Sequence, residues 1–183
     1  MVPDVLNDLN FTISLMENLL QWSKSQMQSD TVRAEEVNLT QLVSEVLQLL
    51  HLQAEAKRIN IDNKANSPAF VFVDRDMINL VLRNLLSNAI KFTPEQGTII
   101  IGMNHLSSYV EIYIQDSGMG ISKEAMDKIN ENNFYTTKGT SSESGTGLGL
   151  MLCKEFLAKN GGQLLIESEP GGGSTFSFTL PSC

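Results

Sequence analysis

The stretch Arg83-Asn84-Leu85-Leu86-Ser87-Asn88-Ala89-Ile90-Lys91-Phe92-Thr93 decides how the rest of the chain is read. Wound as a helix at roughly 100° per residue, it puts Asn84, Asn88 and Lys91 in one arc about 60° wide, because they stand at i, i+4 and i+7. Ile78, Leu82, Leu85, Leu86 and Ala89 take the adjoining face, which predicts a core-facing helix with a narrow polar row along its edge. Two carboxamide oxygens one turn apart suit a hard cation, and the ammonium a turn further on suits phosphate. Taken alone, the same row also fits the solvated edge of a surface helix.

Three further stretches follow in order: Asp116-Ser-Gly-Met-Gly120, Phe134-Tyr-Thr-Thr-Lys138 and Gly145-Thr-Gly-Leu-Gly-Leu150. With the helix above, they resemble the four nucleotide-site boxes of the ATP-binding domain of sensor histidine kinases. The resemblance runs from about Asn38 to the C-terminus, and a weaker one covers the residues before it. It implies a Bergerat-type fold, a substrate ATP bound with Mg²⁺, and transfer of the γ-phosphate to a histidine. The partners it implies are the kinase's own phosphoacceptor hairpin, a second copy in a homodimer and a response regulator.

Composition narrows the range of functions. The 183 residues fit one domain with an appendage, and 42% hydrophobic residues supply a sizeable core. With 13 Lys and Arg against 21 Asp and Glu, the net charge of −8 argues against sequence-independent binding to nucleic acid or to an anionic membrane. An anionic ligand must then be held by local donors and a metal. Cys153 and Cys183 are too few for a disulfide framework or a metal cluster, which fits a reducing, cytoplasmic setting. No run approaches the roughly 18 apolar residues of a membrane span, although the parent protein can still be anchored elsewhere.

Along the chain, Leu6, Leu9, Ile13, Met16, Leu20, Ser23 and Met27 keep the alternating spacing of three and four of a coiled-coil seam, and Leu15, Leu19 and Trp22 form a second stripe. A helix apolar on two sides predicts one strand of a bundle over residues 1–29. By resemblance this is the second helix of the dimerisation hairpin, whose first, phosphorylated helix is expected outside this chain. Residues 30–37 read as a linker and 38–183 as the catalytic domain. There, Asn38 caps a helix to about Lys57, Arg58–Asp62 and Phe70–Val73 read as short strands, and Asp74 starts the polar-row helix. Thr98–Met103 with Tyr109–Gln115, and Gln163–Ser168 with Ser174–Leu180, read as hairpins. The fold class is α+β: a two-layer α/β sandwich, with three helices on one face of a mixed, mostly antiparallel sheet.

Asp116 continues the inward parity of Val110, Ile112 and Ile114, so a carboxylate stands on the core side of its strand end. It either caps its own turn before Gly118 or accepts from a ligand, and the family resemblance assigns it the exocyclic amine of adenine. Gly118 and Gly120 let the backbone pass close to the base. Phe92 is either core or, as the resemblance implies, a wall of the adenine site; Phe134 belongs to the site by resemblance. Gly145, Thr146, Gly147, Leu148 and Gly149 open an apolar helix pattern, where freed backbone amides cradle anions. The pattern lacks both the last glycine of a dinucleotide fingerprint and the Gly-Lys-Ser/Thr ending of a P-loop. Ser122–Ser144 is a polar span read as a mobile lid, from which Lys138 reaches phosphate.

Gyrase-type ATPases are similar in fold, but place a general-base Glu where this chain has Asn84. A serine kinase of related fold, or a dimerisation module that does not bind ATP, would share much of the same pattern. Neither His51-Leu52 nor His105-Leu106 resembles a phosphoacceptor, which the family follows directly with an acid.

Overall fold

The computed structural model describes residues 32–131, 138–141 and 147–183, together with Thr12, Met16, Leu20 and Ser23. Those four isolated residues are helical, and Met16 and Leu20 are exposed. The rest of the proposed seam lies outside the described residues.

Local signals start each main helix where the sequence places it. Asn38 accepts from the Gln41 N–H at 3.2 Å and opens α1 (Leu39–Ala56), whose Leu39, Leu42, Val43, Val46, Leu50 and Ala54 are buried. Asp74 caps α2 (Arg75–Phe92) through the Met77 N–H at 3.1 Å, and its own N–H donates to Asn160 Oδ1 at 2.7 Å. Helix α2 packs between α1 and α4 (Gly149–Lys159), over strand β5 (Tyr109–Asp116).

The main sheet has five strands in the order β2 (Asn60–Asn63), β4 (Thr98–His105), β5, β7 (Gly173–Pro181), β6 (Gln163–Glu169). Only β2 and β4 run parallel; the other pairs are antiparallel. Alternation decides the faces. Ile99, Ile101, Val110, Ile112, Ile114, Phe176, Phe178 and Leu180 are buried, in one core with Leu82, Leu85, Leu86 and Ala89 of α2 and Leu152, Phe156 and Leu157 of α4. Cys153 is buried in the same layer, and burial pushes its thiol far above its ordinary range.

Two elements differ from the sequence reading. Ala34–Val37, expected as linker, belong to strand β1 (Ala34–Asn38), which pairs antiparallel with β3 (Phe70–Asp74), Val37 opposite Val71. Val37 is the one buried residue of that strand, so backbone pairing rather than an apolar pattern makes it. The first part of the supposed lid is a fourth helix, α3 (Lys123–Asn130), capped by Ser122 Oγ on the Ala125 N–H at 3.2 Å. It buries only Ala125 and Ile129, and the Lys154 ammonium of α4 holds its end by donating to the Ile129 carbonyl at 2.6 Å. No helix among the described residues is long and apolar enough to cross a membrane.

Candidate functional site

The register of the sheet sets Asp116 at one end of β5, opposite Ile99 on one side and Ser174 on the other. Its side chain is only 4% exposed. Burial raises its carboxyl above the ordinary range, and the N–H groups of Gly118 and Ser174 pull it back by bonding the charged form. Both sequence readings of this residue are compatible with the geometry. Oδ1 does cap its own turn, accepting from the Gly118 N–H at 2.8 Å, but a carboxylate has about four lone-pair sites and retains acceptor capacity.

Helix α2 gathers the described site residues. At its C-terminal end the Phe92 carbonyl accepts from the Met119 N–H at 3.3 Å, and a Cβ on Gly118 would lie 2.5 Å from that carbonyl oxygen. Only glycine lets the Asp116 turn close on the end of the helix. Gly120 has a different cause: with φ +69° it lies against the Glu169 carbonyl, 1.9 Å from where its Cβ would stand, so the β6–β7 turn demands it.

About two turns back along α2, a Cβ on Gly149 would lie 2.9 Å from Asn84 Oδ1. The start of α4 therefore abuts the first carboxamide of the polar row. Gly147 has φ +73°, Leu148 is buried at the N-cap, and its side chain supplies no capping bond. The first N–H groups of a helix are donors without intrahelical partners, so this end suits an anion. Asn84, Asn88, Lys91 and Phe92 are all half-buried along the edge between these contacts. The Lys91 ammonium rests 4.7 Å from the centre of the Phe92 ring. Lys138 is exposed, while Phe134, Gly145 and Thr146 lie outside the described residues.

Lys57 was not among the sequence candidates. It follows α1, is 8% exposed, and reaches across to the end of α2, donating to the Ile90 carbonyl at 2.8 Å and the Lys91 carbonyl at 3.0 Å. Its one sequence signal is a cation at a helix end, which says nothing about a different helix 33 residues further on.

The family described as "Histidine kinase-, DNA gyrase B-, and HSP90-like ATPase" matches residues 73–183, which hold α2, the Asp116 turn and the glycine loop. The chain belongs to this family. Within it, the chain carries an ATP-binding catalytic domain of the histidine kinase type. It is similar to the adaptive-response sensory kinase SasA of Synechocystis sp., 36% identical over 170 residues that cover 91% of this chain and 44% of that protein. The sensor histidine kinase WalK of Bacillus subtilis is 32% identical over 178 residues, covering 96% of this chain and 29% of that one. This histidine kinase domain thus spans less than half the length of either relative. Among solved structures, the catalytic domain of histidine kinase ThkA matches with a TM-score of 0.72 and 32% identity, covering 82% of this chain and 98% of that chain. ThkA solved with the response regulator protein TrrA matches with a TM-score of 0.77 at 26% identity, over 98% of this chain and 49% of that chain.

Proposed function

We propose that this chain binds Mg-ATP along the polar edge of α2 and delivers its γ-phosphate to a histidine on the dimerisation hairpin of a two-component sensor kinase. The observation that carries the reading is the convergence on one helix of Asn84 with Gly149 and of Phe92 with Gly118 beside buried Asp116. A ligand lying along that edge meets a carboxylate at one end and helix amides at the other, which suits adenine and phosphates respectively. Asp116 accepts from the base, Phe92 lines it, and Gly147, Leu148 and Gly149 bring the start of α4 to the phosphates. Phe134, Gly145, Thr146 and Lys138 take the parts their boxes imply. Asn84 and Asn88 would hold Mg²⁺: oxygen donors one turn apart suit this hard cation, which when bound neutralises phosphate charge.

The chain's two histidines are poor acceptors. His51 is exposed on α1 and pairs with Glu55 at 3.2 Å. His105 stands six residues along β4 from Ile99, the partner of Asp116, and thus about 20 Å from the adenine end of the site. Residues 1–29 are assigned to the second hairpin helix, 30–37 to the connection and 38–183 to the catalytic domain, with β1 extending that domain's pairing back to Ala34. The proposed setting is cytoplasmic, in a homodimer that hands phosphate to a response regulator, as the ThkA–TrrA complex suggests. The test is incubation with labelled ATP, Mg²⁺ and a hairpin bearing the acceptor histidine. Acid-labile, base-stable label on the hairpin is expected; phosphate release with no labelled hairpin would instead favour an ATPase.

A further inference from the structure

Among the described residues, the buried Lys57 ammonium donates to three acceptors, two of which belong to α2. The third is Thr140 Oγ1 at 2.6 Å. Thr140 is itself tied to the same helix end: its N–H donates to the Lys91 carbonyl at 3.1 Å, and its hydroxyl lies 2.9 Å from the Thr93 carbonyl and 3.2 Å from that of Lys91. A hydroxyl carries one proton, so it donates to one of these carbonyls while accepting from Lys57. The loop after α2 is fixed to the same lysine, since the Gln96 N–H donates to the Lys57 carbonyl at 3.0 Å.

This arrangement spans residues 83 positions apart and answers a specific need. The last carbonyls of a helix lack intrahelical partners and carry its negative dipole end, so a buried cation there is favourable. Thr140 is an exposed residue whose hydroxyl reaches into this cap. What Thr140 gains is a fixed place. Lys138, two residues earlier, then starts within about 7 Å of a residue bonded to the Lys91 backbone.

We propose that Lys57 and Thr140 form an anchor that holds the Lys138–Ser141 turn on the end of α2, so that the ammonium groups of Lys138 and Lys91 serve the same phosphates. Lys57 and Thr140 are positioning residues: neither touches nucleotide, and both act through Lys138. The inference rests on the ATP-binding reading above and names the contact that fixes where the two lysine stems start, at the Phe92 end of the polar edge.

The test is a double-mutant cycle on the 183-residue chain, with ATP and adenosine affinities measured by calorimetry in Mg²⁺. Thr140→Val keeps the shape and deletes the hydroxyl at an exposed position. It is expected to weaken ATP by about 3- to 10-fold, in the range of one ordinary hydrogen-bonding contact, and to leave adenosine unchanged. Thr140→Ser should restore ATP affinity. Lys138→Ala should weaken ATP in the parent chain but have little further effect in Thr140→Val. Lys57→Met, with thermal unfolding measured alongside, should show the same loss for ATP over adenosine. Additive effects of Thr140→Val and Lys138→Ala, or equal losses for ATP and adenosine, would overturn the anchor while leaving the ATP site intact. A parent chain that binds no ATP would overturn both.

Discussion

At the scale of single residues, Asp116 and Asn88 carry the sharpest consequences. Asp116→Ala removes the acceptor proposed for the adenine amine, and an unpaired buried amine costs about 1 to 3 kcal/mol, or roughly 5- to 150-fold in affinity by calorimetry. Acid should mimic the mutation. Because burial raises the native carboxyl above its ordinary range, the folded chain holds this proton where the unfolded chain has lost it. Stability from that group is therefore present at low pH and lost as pH rises through the raised value. Ligand binding needs the opposite, the ionised acceptor. Adenosine, which has no titrating phosphate, should bind the parent chain more weakly as pH falls through the raised value, whereas Asp116→Ala should show no such step. At the other end of the polar row, Asn88→Ala deletes an oxygen donor proposed for the cation, and ATP titrations should then stop responding to added Mg²⁺. Retention of the parent's Mg²⁺ dependence would return Asn88 to the solvated helix edge that its spacing alone also fits.

At the scale of elements, two glycines test whether α2 organises the site or only the fold. A Cβ at Gly149 would meet the end of the Asn84 side chain at 2.9 Å, a group that can rotate away, while one at Gly118 would meet the Phe92 backbone carbonyl at 2.5 Å. Gly149→Ala is thus expected to keep the melting temperature and to lose about 5- to 10-fold in Mg-ATP affinity, in the range of one displaced polar contact. Gly118→Ala should instead destabilise the domain by about 1 to 3 kcal/mol in urea melts, because backbone must move. The reverse pattern would separate Asn84 from the site. Elements with a long apolar period were legible in the sequence: α2 buries the expected side chains, α1 and α4 bury most of theirs although Leu49 on the apolar side of α1 stands exposed, and the alternation of β5 placed Asp116 inward. Elements made by partners were not. Strand β1 has one buried residue and exists through its ladder with β3, and α3 has two buried residues and a lysine from α4 at its end. The Lys57 contact escaped for the same reason, since its acceptors among the described residues stand 33, 34 and 83 residues away.

At the scale of the whole molecule, the site's chemistry and the position of the histidines set what the chain does alone. Asn84 occupies the place where gyrase-type relatives by resemblance carry a general base, and a carboxamide cannot take a proton from water. Bound ATP should therefore be hydrolysed slowly, with the γ-phosphate kept for an outside nucleophile. Inside the chain, His51 pairs with Glu55 on the exposed surface of α1 and His105 stands at the far end of the sheet from Asp116, and neither is followed by an acid, so neither is expected to receive it. Incubated alone with labelled ATP and Mg²⁺, the chain is expected to bind nucleotide, release little phosphate and take up no label. Adding the acceptor hairpin should produce labelled hairpin, and under the proposed assignment of residues 1–29 to the second hairpin helix its efficiency depends on how readily that segment pairs with the hairpin's first helix. That dependence is separable from the chemistry: trimming the seam residues should raise or lower the rate of labelling while leaving the ATP affinity of the catalytic domain where it was. Strong self-labelling on serine would move the chain to the related serine kinases, and fast phosphate release without acceptor would show that something other than a residue at position 84 activates water.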